Sequence, residues 1–174
     1  MPISDYLKNL RAKIGHDLVV LPAACASILD EHGRLLLGKD AETGFWVLPG
    51  GAVDPHEQPA DAAVRECLEE TGLLVELRGV IGVFGGPEFL VHYPNGDRTY
   101  YITTAFRAAI IGGPRHPGDG ELAELRYFSQ SECESLNLSP PTVIIAKTTF
   151  INSTTAFFQP PADTHRSACD AKAR

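Results

Sequence analysis

The chain has 174 residues, of which 44% are hydrophobic and 21% are charged, an ordinary composition for a single globular domain with a substantial core. Its net charge of −7 argues against a general nucleic-acid binder and against docking on acidic membranes. The four cysteines are widely spaced, so neither a zinc site nor a disulfide framework is indicated, and we expect a cytoplasmic protein.

The first predicted element is a helix over residues 4–14, with Ser4 as its N-cap and apolar residues at helical spacing. We interpret it as a packing element or a dimer contact, which leaves a homodimer open. The apolar run from Leu18 to Ala26 imitates a targeting signal, but it is too short to span a membrane and contains Pro22. A buried strand is the better interpretation.

Strands are predicted along most of the remaining chain. Two apolar runs around "EHG" indicate a first hairpin, and Asn95-Gly96 is a strong turn signal for a second. "FWVLP", "LLVELRGVIGVF" and "LAELRYFS" read as single strands, and "SPPTVIIAKTTFI" as a closing helix capped by Ser139. Because helices are interleaved with antiparallel hairpins, we expect an α/β fold with a mixed sheet.

Two polar segments complete the chain. "GGPRHPGDGE" has the composition of a mobile polar loop. We expect one domain over residues 1–152 and a poorly ordered C-terminal tail over 153–174, in which Phe157 and Phe158 could dock on the domain.

The helix predicted from Pro59 to its stop at Gly72 carries an unusual concentration of acids. An ideal helical wheel separates its residues into two arcs. The arc expected to face the core holds Ala60, Ala63, Val64, Cys67 and Leu68. The acidic arc, about 100° wide, holds Glu66, Glu69 and Glu70. Three adjacent carboxylates favour either a solvated face or a hard divalent cation such as Mg²⁺, which suits phosphate-bearing substrates.

A glycine-rich loop precedes this helix. Gly50 and Gly51 lack side chains, so their backbone can approach a metal or a phosphate closely. Glu57 can cap the helix or orient Arg65, and Arg65 can hold a neighbouring carboxylate through a charge-assisted pair.

From Gly51 the chain has five residues, Glu57, seven residues and then "RECLEETGL". This pattern resembles the Nudix box, the signature of hydrolases that cleave nucleoside diphosphates linked to another moiety. Cys67 is a departure, since a larger aliphatic residue is usual at that position. The resemblance implies an α/β/α sandwich with a mixed sheet and metal-dependent hydrolysis of a pyrophosphate bond.

The resemblance also implies roles for individual residues. The metal ligands would be Glu66, Glu69, Glu70 and the carbonyl of Gly50, with Mg²⁺ as cofactor and Mn²⁺ able to substitute. The catalytic residues would be Glu66, Glu69 and Arg65. Substrate contacts would come from Lys39, Gly51 and Glu57, although Lys39 is equally well read as a solvent-facing strand end. Members differ over which glutamate is the general base, and Glu121 and Glu124 are the late-loop candidates.

The substrate is less well indicated than the reaction. Pro87 stands where members acting on ADP-ribose often have a proline. We therefore expect a small-molecule partner, either a nucleoside diphosphate sugar such as ADP-ribose or a nucleoside triphosphate. The alternative is a non-catalytic nucleotide-binding or regulatory module on the same fold.

Overall fold

A computed structural model describes residues 4–118, 120–151 and 153–158 of the chain. The helices are α1 (Asp5–Ile14), α2 (Pro59–Thr71), α3 (Gln130–Cys133) and α4 (Pro140–Phe150), with a 3₁₀ turn at Pro87–Phe89. The strands are β1 (Val19–Ile28), β2 (Leu35–Asp40), β3 (Trp46–Val47), β4 (Gly50–Ala52), β5 (Leu74–Phe84), β6 (Leu90–His92), β7 (Arg98–Gly112) and β8 (Leu122–Phe128). Within the described ranges, no helix has the length and apolarity needed to cross a membrane.

The strands form two sheets. The larger has the order β4-β1-β7-β5, with β6 added on β7, and the smaller has the order β3-β2-β8. β1 and β7 pair in parallel over ten residues, whereas the other pairs are antiparallel. The predicted mixed sheet is therefore confirmed.

The sheets lie between two helices because alternate side chains of a strand point to opposite faces. Ala26 and Ile28 of β1 pack in one buried cluster with Cys67 of α2. Cys25, the residue before Ala26, packs on the other face in a cluster that includes Ile145 of α4. The layers are thus α2, sheet and α4, and the predicted α/β/α sandwich is confirmed.

The packing face of α2 is rotated from the one that the wheel predicts. Ala63 and Cys67 are fully buried and Val64 packs at the edge of the core, as expected. Leu68 was expected in the core, but it is 43% exposed, so that prediction is wrong. The wheel fails there because the space beside the sheet is taken by Glu66 and Thr71, which are 1% and 0% exposed.

One predicted hairpin forms in full, and the other is limited to its turn. β6 and β7 pair around Asn95-Gly96, where Gly96 has φ 91°, as the turn signal predicts. At the predicted turn between β1 and β2, Asp30 N donates to the Arg34 carbonyl (2.9 Å) and Leu29 forms an isolated antiparallel bridge with Leu35, but the two strands belong to different sheets. β1 from Ala23 to Ile28 and the first four residues of β2 are buried on both faces, and each strand extends into its own sheet, so the predicted hairpin does not continue as a paired ribbon beyond its turn.

Serine caps begin three of the helices. Ser4 accepts a hydrogen bond from Leu7 N and Ser139 accepts one from Thr142 N, so both predicted caps are confirmed. The short helix α3 was missed, although Ser129 and Glu132 form a complete capping box whose spacing is visible in "SQSE".

The N-terminal helix is fastened through one arginine. None of the residues of α1 is fully buried, but the Arg11 guanidinium donates to the Arg98 carbonyl (2.9 Å) and to Thr99 Oγ1 (3.1 Å). α1 therefore docks on the start of β7. Whether it also mediates a dimer stays a prediction.

The beginning of the C-terminal tail contacts the edge of the larger sheet. Phe157 N donates to the Ile81 carbonyl (2.6 Å), and the Phe157 ring stacks on Phe84 with 5.5 Å between centroids. The structure therefore places one of the two predicted docking aromatics on β5. The expectation for residues 159–174 lies outside the described residues.

The packing assignment predicts different costs for two leucine truncations. Leu36, which is 0% exposed on the α2 side of β2, should lose about 2–5 kcal/mol of unfolding free energy as Leu36→Ala. Leu68→Ala, on the exposed side of α2, should lose less than about 1 kcal/mol. Urea unfolding of both variants measures these costs, and equal losses would contradict the rotation of α2 described above.

Candidate active site

The ends of α2 set the rotation of its acidic residues. The helix begins with Pro59 at its first position and ends at Gly72, whose left-handed conformation (φ 69°) suits glycine. Both ends are as predicted. Since 3.6 residues make one turn, Glu66 and Glu70 lie one above the other on the side of α2 that faces the strand β4.

The acids do not share one solvent-facing arc. Glu66 and Glu70 are 1% and 5% exposed, whereas the side chain of Glu69 is 46% exposed. The expectation that all three acids lie opposite the packing face is wrong for two of them. Burying a charged carboxylate is costly unless it has polar partners, so the partners of these two residues matter most.

Gly50 is one such partner, because its amide donates to Glu70 Oε2 at 2.9 Å. A Cβ atom at Gly50 would lie 2.4 Å from the Ala24 carbonyl oxygen and 2.5 Å from Cys25 Cβ. Only glycine can therefore bring β4 this close to β1 and to the helix. The expected approach of the Gly50 backbone to a metal or a phosphate, and its role as a carbonyl ligand, stay predictions.

Arg65 is the organising cation of the site. Its Nε and Nη2 donate to Glu57 Oε1 and Oε2, each at 2.9 Å. Its Nη1 donates to Glu66 Oε1 at 2.7 Å and lies 3.4 Å from Glu69 Oε2. Nη2 also reaches the Ala52 carbonyl at 3.1 Å. One planar guanidinium thus joins two of the three acids of α2, the preceding loop and β4.

The two carboxylates nearest to Arg65 differ in acidity. Hydrogen bonds from Arg65 and from Asp54 N lower the pKa of Glu57 below its usual value. Its ion pair therefore stabilises the fold above the ordinary carboxyl pKa, and this contribution is lost as the pH falls through the lowered pKa. Burial raises the pKa of Glu66, which the Arg65 pair offsets only in part.

The chemistry of these groups fits a hard divalent cation. Glu66 Oε2 is buried and has no hydrogen-bond partner among the described residues. A buried carboxylate oxygen without a partner is costly, and oxygen ligands are what Mg²⁺ prefers. No three acidic, histidine or cysteine side chains between residues 4 and 158, the undescribed positions apart, yet converge as a metal would require. Glu69 lies toward Arg65, so a cation bound by all three acids requires Glu69 to turn.

The cysteines near the acids are core residues. Cys67 is fully buried and its pKa is raised to about 11, chiefly by burial. Burial and the charge of Glu70 raise the pKa of Cys25 to about 12. Neither thiol is available as a thiolate near neutral pH, and the interpretation of Cys67 as a packing residue is confirmed.

The predicted substrate residues lie at different distances from the acids along the sheets. Gly51 is on β4 opposite Ala24, directly beside Gly50. Lys39 pairs with Glu124 across β2 and β8. Leu36 of β2 packs on the side of the sheet that faces α2. Lys39 is three residues later, and because successive side chains of a strand point to opposite faces, its side chain points away from α2.

Glu121 precedes β8, and its carbonyl accepts a hydrogen bond from Ala41 N at 2.8 Å. Of the predicted site residues, Gly50, Glu57 and Arg65 lie together with the acids of α2 through the hydrogen bonds described above. It places Lys39 and Glu124 on a separate part of the sheet, and their roles stay predictions.

The polar loop after β7 contributes contacts that the sequence analysis missed. Its backbone N–H groups at His116 and Gly118 donate to the carbonyls of Thr71 and Glu70 at 3.0 and 2.9 Å. Glycine spacing in "GGPRHPGDGE" is the only signal in the sequence, and glycine alone does not identify a backbone partner.

Comparison with known proteins identifies the pattern. The sequence model of the NUDIX domain matches residues 20–146. A putative 8-oxo-dGTP diphosphatase from Bacillus subtilis (strain 168) is 48% identical over 102 residues, which are 59% of this chain and 62% of that protein. The chain thus spans less than two thirds of the length of that relative.

Two ADP-ribose pyrophosphatases are also similar. The one from Methanocaldococcus jannaschii is 29% identical over 124 residues, covering 70% of this chain and 69% of that protein. The crystal structure of the one from Streptococcus suis 89-1591 superposes with a TM-score of 0.61, at 24% identity, over 80% of this chain and 96% of that one. At this identity the superposition shows the fold alone.

The Arg65 guanidinium binds Glu57 and Glu66 at once, and we call this arrangement the arginine fork. It predicts that even the conservative substitution Arg65→Lys lowers stability. Arg65→Lys keeps the charge but cannot bind Glu57 at two points and still reach Glu66, so the unfolding free energy should fall by about 2–3 kcal/mol. Arg78, which forms a surface pair with Glu76 at 2.8 Å, is the matched control, and Arg78→Lys should cost less than about 1 kcal/mol. Denaturant unfolding in metal-free buffer compares them, and indistinguishable costs would show that the fork does not hold the site together.

Proposed function

The chain belongs to the NUDIX family, and from that membership we propose that it is a Mg²⁺-dependent pyrophosphohydrolase acting on a nucleoside diphosphate derivative. The observation that carries the proposal is the buried Glu66 carboxylate, which has Arg65 on one oxygen and no hydrogen-bond partner among the described residues on the other. A site of this kind is costly to the fold unless a ligand uses it.

The metal would be held by carboxylate oxygens of Glu66, Glu69 and Glu70 with the carbonyl of Gly50. When bound, Mg²⁺ would neutralise charge on the diphosphate and lower the pKa of a water. Arg65 holds Glu66 in place through its 2.7 Å hydrogen bond and is itself held by Glu57. Arg65 and Glu57 are thus positioning residues, and the glutamates of α2 are the residues that would contact the metal and the reacting water.

The hydrolytic step needs a proton acceptor. The oxygen of a water forms a bond to one phosphorus of the diphosphate, and the bond from that phosphorus to the bridging oxygen breaks. The proton of the water passes to a carboxylate. Glu69 is the favoured acceptor, because its side chain is half-exposed and Arg65 holds it only at 3.4 Å, leaving it free to turn. Glu121 and Glu124 are the alternatives that the family resemblance offers.

The substrate class rests on the relatives. Two of the similar proteins are named for the hydrolysis of 8-oxo-dGTP and of ADP-ribose. Both substrates contain a nucleoside attached to a chain of phosphates. We therefore propose a nucleotide substrate, either a nucleoside triphosphate such as 8-oxo-dGTP or a nucleoside diphosphate sugar such as ADP-ribose.

A substrate panel with and without metal tests the reaction. The native chain should hydrolyse at least one of 8-oxo-dGTP, dGTP, ATP and ADP-ribose when Mg²⁺ is present, and chelation by EDTA should abolish the activity. Phosphorus NMR of the products identifies which phosphorus–oxygen bond breaks. Hydrolysis that continues undiminished in excess EDTA would contradict the metal dependence.

Isosteric substitutions test the assignment of the glutamates. Glu69→Gln and Glu70→Gln should each lower kcat about 10²- to 10⁴-fold, the range for removal of an acid–base group or its equivalent. Glu76→Gln is the control, since Glu76 is exposed on β5 and pairs only with Arg78 in the described structure. If all three variants match the native rate, the site is elsewhere. If nothing on the panel is turned over but nucleotides bind, a non-catalytic nucleotide-binding module replaces the enzyme.

A further inference from the structure

The loop that follows β7 lies over the C-terminal end of α2. The carbonyls in the last turn of a helix have no partner within the helix. Here the Glu70 carbonyl accepts a hydrogen bond from Gly118 N at 2.9 Å, and the Thr71 carbonyl accepts one from His116 N at 3.0 Å. The last turn of α2, which carries Glu69 and Glu70, is therefore bonded to a segment more than forty residues away in the chain.

Glycines permit this close approach. A Cβ atom at Gly118 would lie 1.7 Å from the carbonyl oxygen of Glu69, so no side chain fits there. The φ of Gly118 is not in the left-handed region, so an alanine would be excluded by this contact and not by its own backbone. At the facing position, a Cβ on Gly72 would lie 2.5 Å from the Pro114 carbonyl oxygen.

The same loop is tethered on its other side. The Arg115 guanidinium lies 5.3 Å from the centroid of the Tyr127 ring on β8, a cation–π distance. Tyr127 in turn packs against the buried cluster that contains Cys67 of α2. Residues 113–118 thus bridge the end of α2 and the smaller sheet.

We propose that residues 113–118 are a positioning element that fixes the backbone of the last turn of α2 and with it the points from which the side chains of Glu69 and Glu70 project. The inference rests on the proposed function, because it assigns the loop to the placement of the same carboxylates. Helix ends fray when their carbonyls lack partners. A frayed last turn would move Glu69 and Glu70 relative to Glu66, which lies a turn earlier.

The test compares two glycine-to-alanine variants. Gly118→Ala inserts a methyl group against Glu69 O, whereas Gly112→Ala, at the end of β7, places its methyl 3.6 Å from Leu74 in ordinary contact. Gly118→Ala should lower kcat about 10- to 100-fold with little change in KM, since small displacements of catalytic groups have effects of this size. It should also weaken Mn²⁺ binding, measured by calorimetry, while Gly112→Ala should leave both unchanged.

A second variant covers the case in which Gly118→Ala fails to fold. Arg115→Ala removes the tether to Tyr127 without inserting an atom against α2, and it should lower kcat and Mn²⁺ affinity in the same direction but less. Hydrogen exchange of the His116 and Gly118 amides reports whether the loop has been released. Faster exchange at these amides with unchanged kcat and unchanged Mn²⁺ affinity would overturn the inference.

The outcomes separate this inference from the proposed function. If the native chain hydrolyses nothing on the nucleotide panel, the proposed function fails, and the Mn²⁺ affinities of the variants still decide whether the loop positions the carboxylates. If the native chain is active and the loop variants are as active and bind Mn²⁺ as well, only the inference fails.

Discussion

The burial of Glu66 and Glu70 against β4, the strand that contains Gly50 and Gly51, is the constraint on which the rest of the site depends. Two carboxylates taken out of water need polar partners, and the protein provides them through Arg65 on one acid and the Gly50 amide on the other. The arginine must then be held itself, which explains the bidentate pair with Glu57 eight residues earlier. The spacing of Glu57, Arg65 and Glu66 in the sequence pattern is therefore explained by the hydrogen bonds that join these three side chains.

The packing of α2 on the sheet also holds the acids close to β4. Ala24 of β1 packs with Ala62 and Ala63 of α2, so the helix lies close to the sheet, and Gly50 of the neighbouring strand β4 has no room for even a methyl group. Cys67 packs under the acidic turn, where a larger residue is usual in the family pattern. The final turn of α2 is bonded by the loop after β7, so the helix is supported at the end that carries its acids.

Much of this arrangement could be predicted from local signals. Pro59 and Gly72 mark the ends of α2, Ser4 and Ser139 mark two helix caps, and Asn95-Gly96 marks a hairpin, because each depends on a few neighbouring residues. Periodicity alone could not predict the burial of Glu66 and Glu70 or the exposure of Leu68. A helical wheel sorts residues by hydrophobicity and position, and it contains no information about partners outside the helix or about side-chain ion pairs, here the Gly50 amide and Arg65.

Contacts between distant parts of the chain account for the other differences. β1 and β2 diverge into two sheets after their turn, and the halves of both strands nearest to it are buried on both faces, which the turn signal between them does not reveal. The loop containing His116 and Gly118 looks mobile by composition, yet its backbone bonds to α2, and composition carries no information about such a partner. Backbone hydrogen bonds formed at long range depend on the fold and not on side-chain type.

The acids of α2 and the Gly50 carbonyl together form the proposed divalent-cation site. Anomalous diffraction from crystals soaked in Mn²⁺ tests it most directly, because the ion is located without any assumption about the substrate. We expect a strong peak within about 2–2.5 Å of oxygens of Glu66, Glu69 or Glu70 and of the Gly50 carbonyl. A Mn²⁺ peak bound elsewhere, with the Glu66 carboxylate unchanged and still without a partner on its buried oxygen, would contradict it.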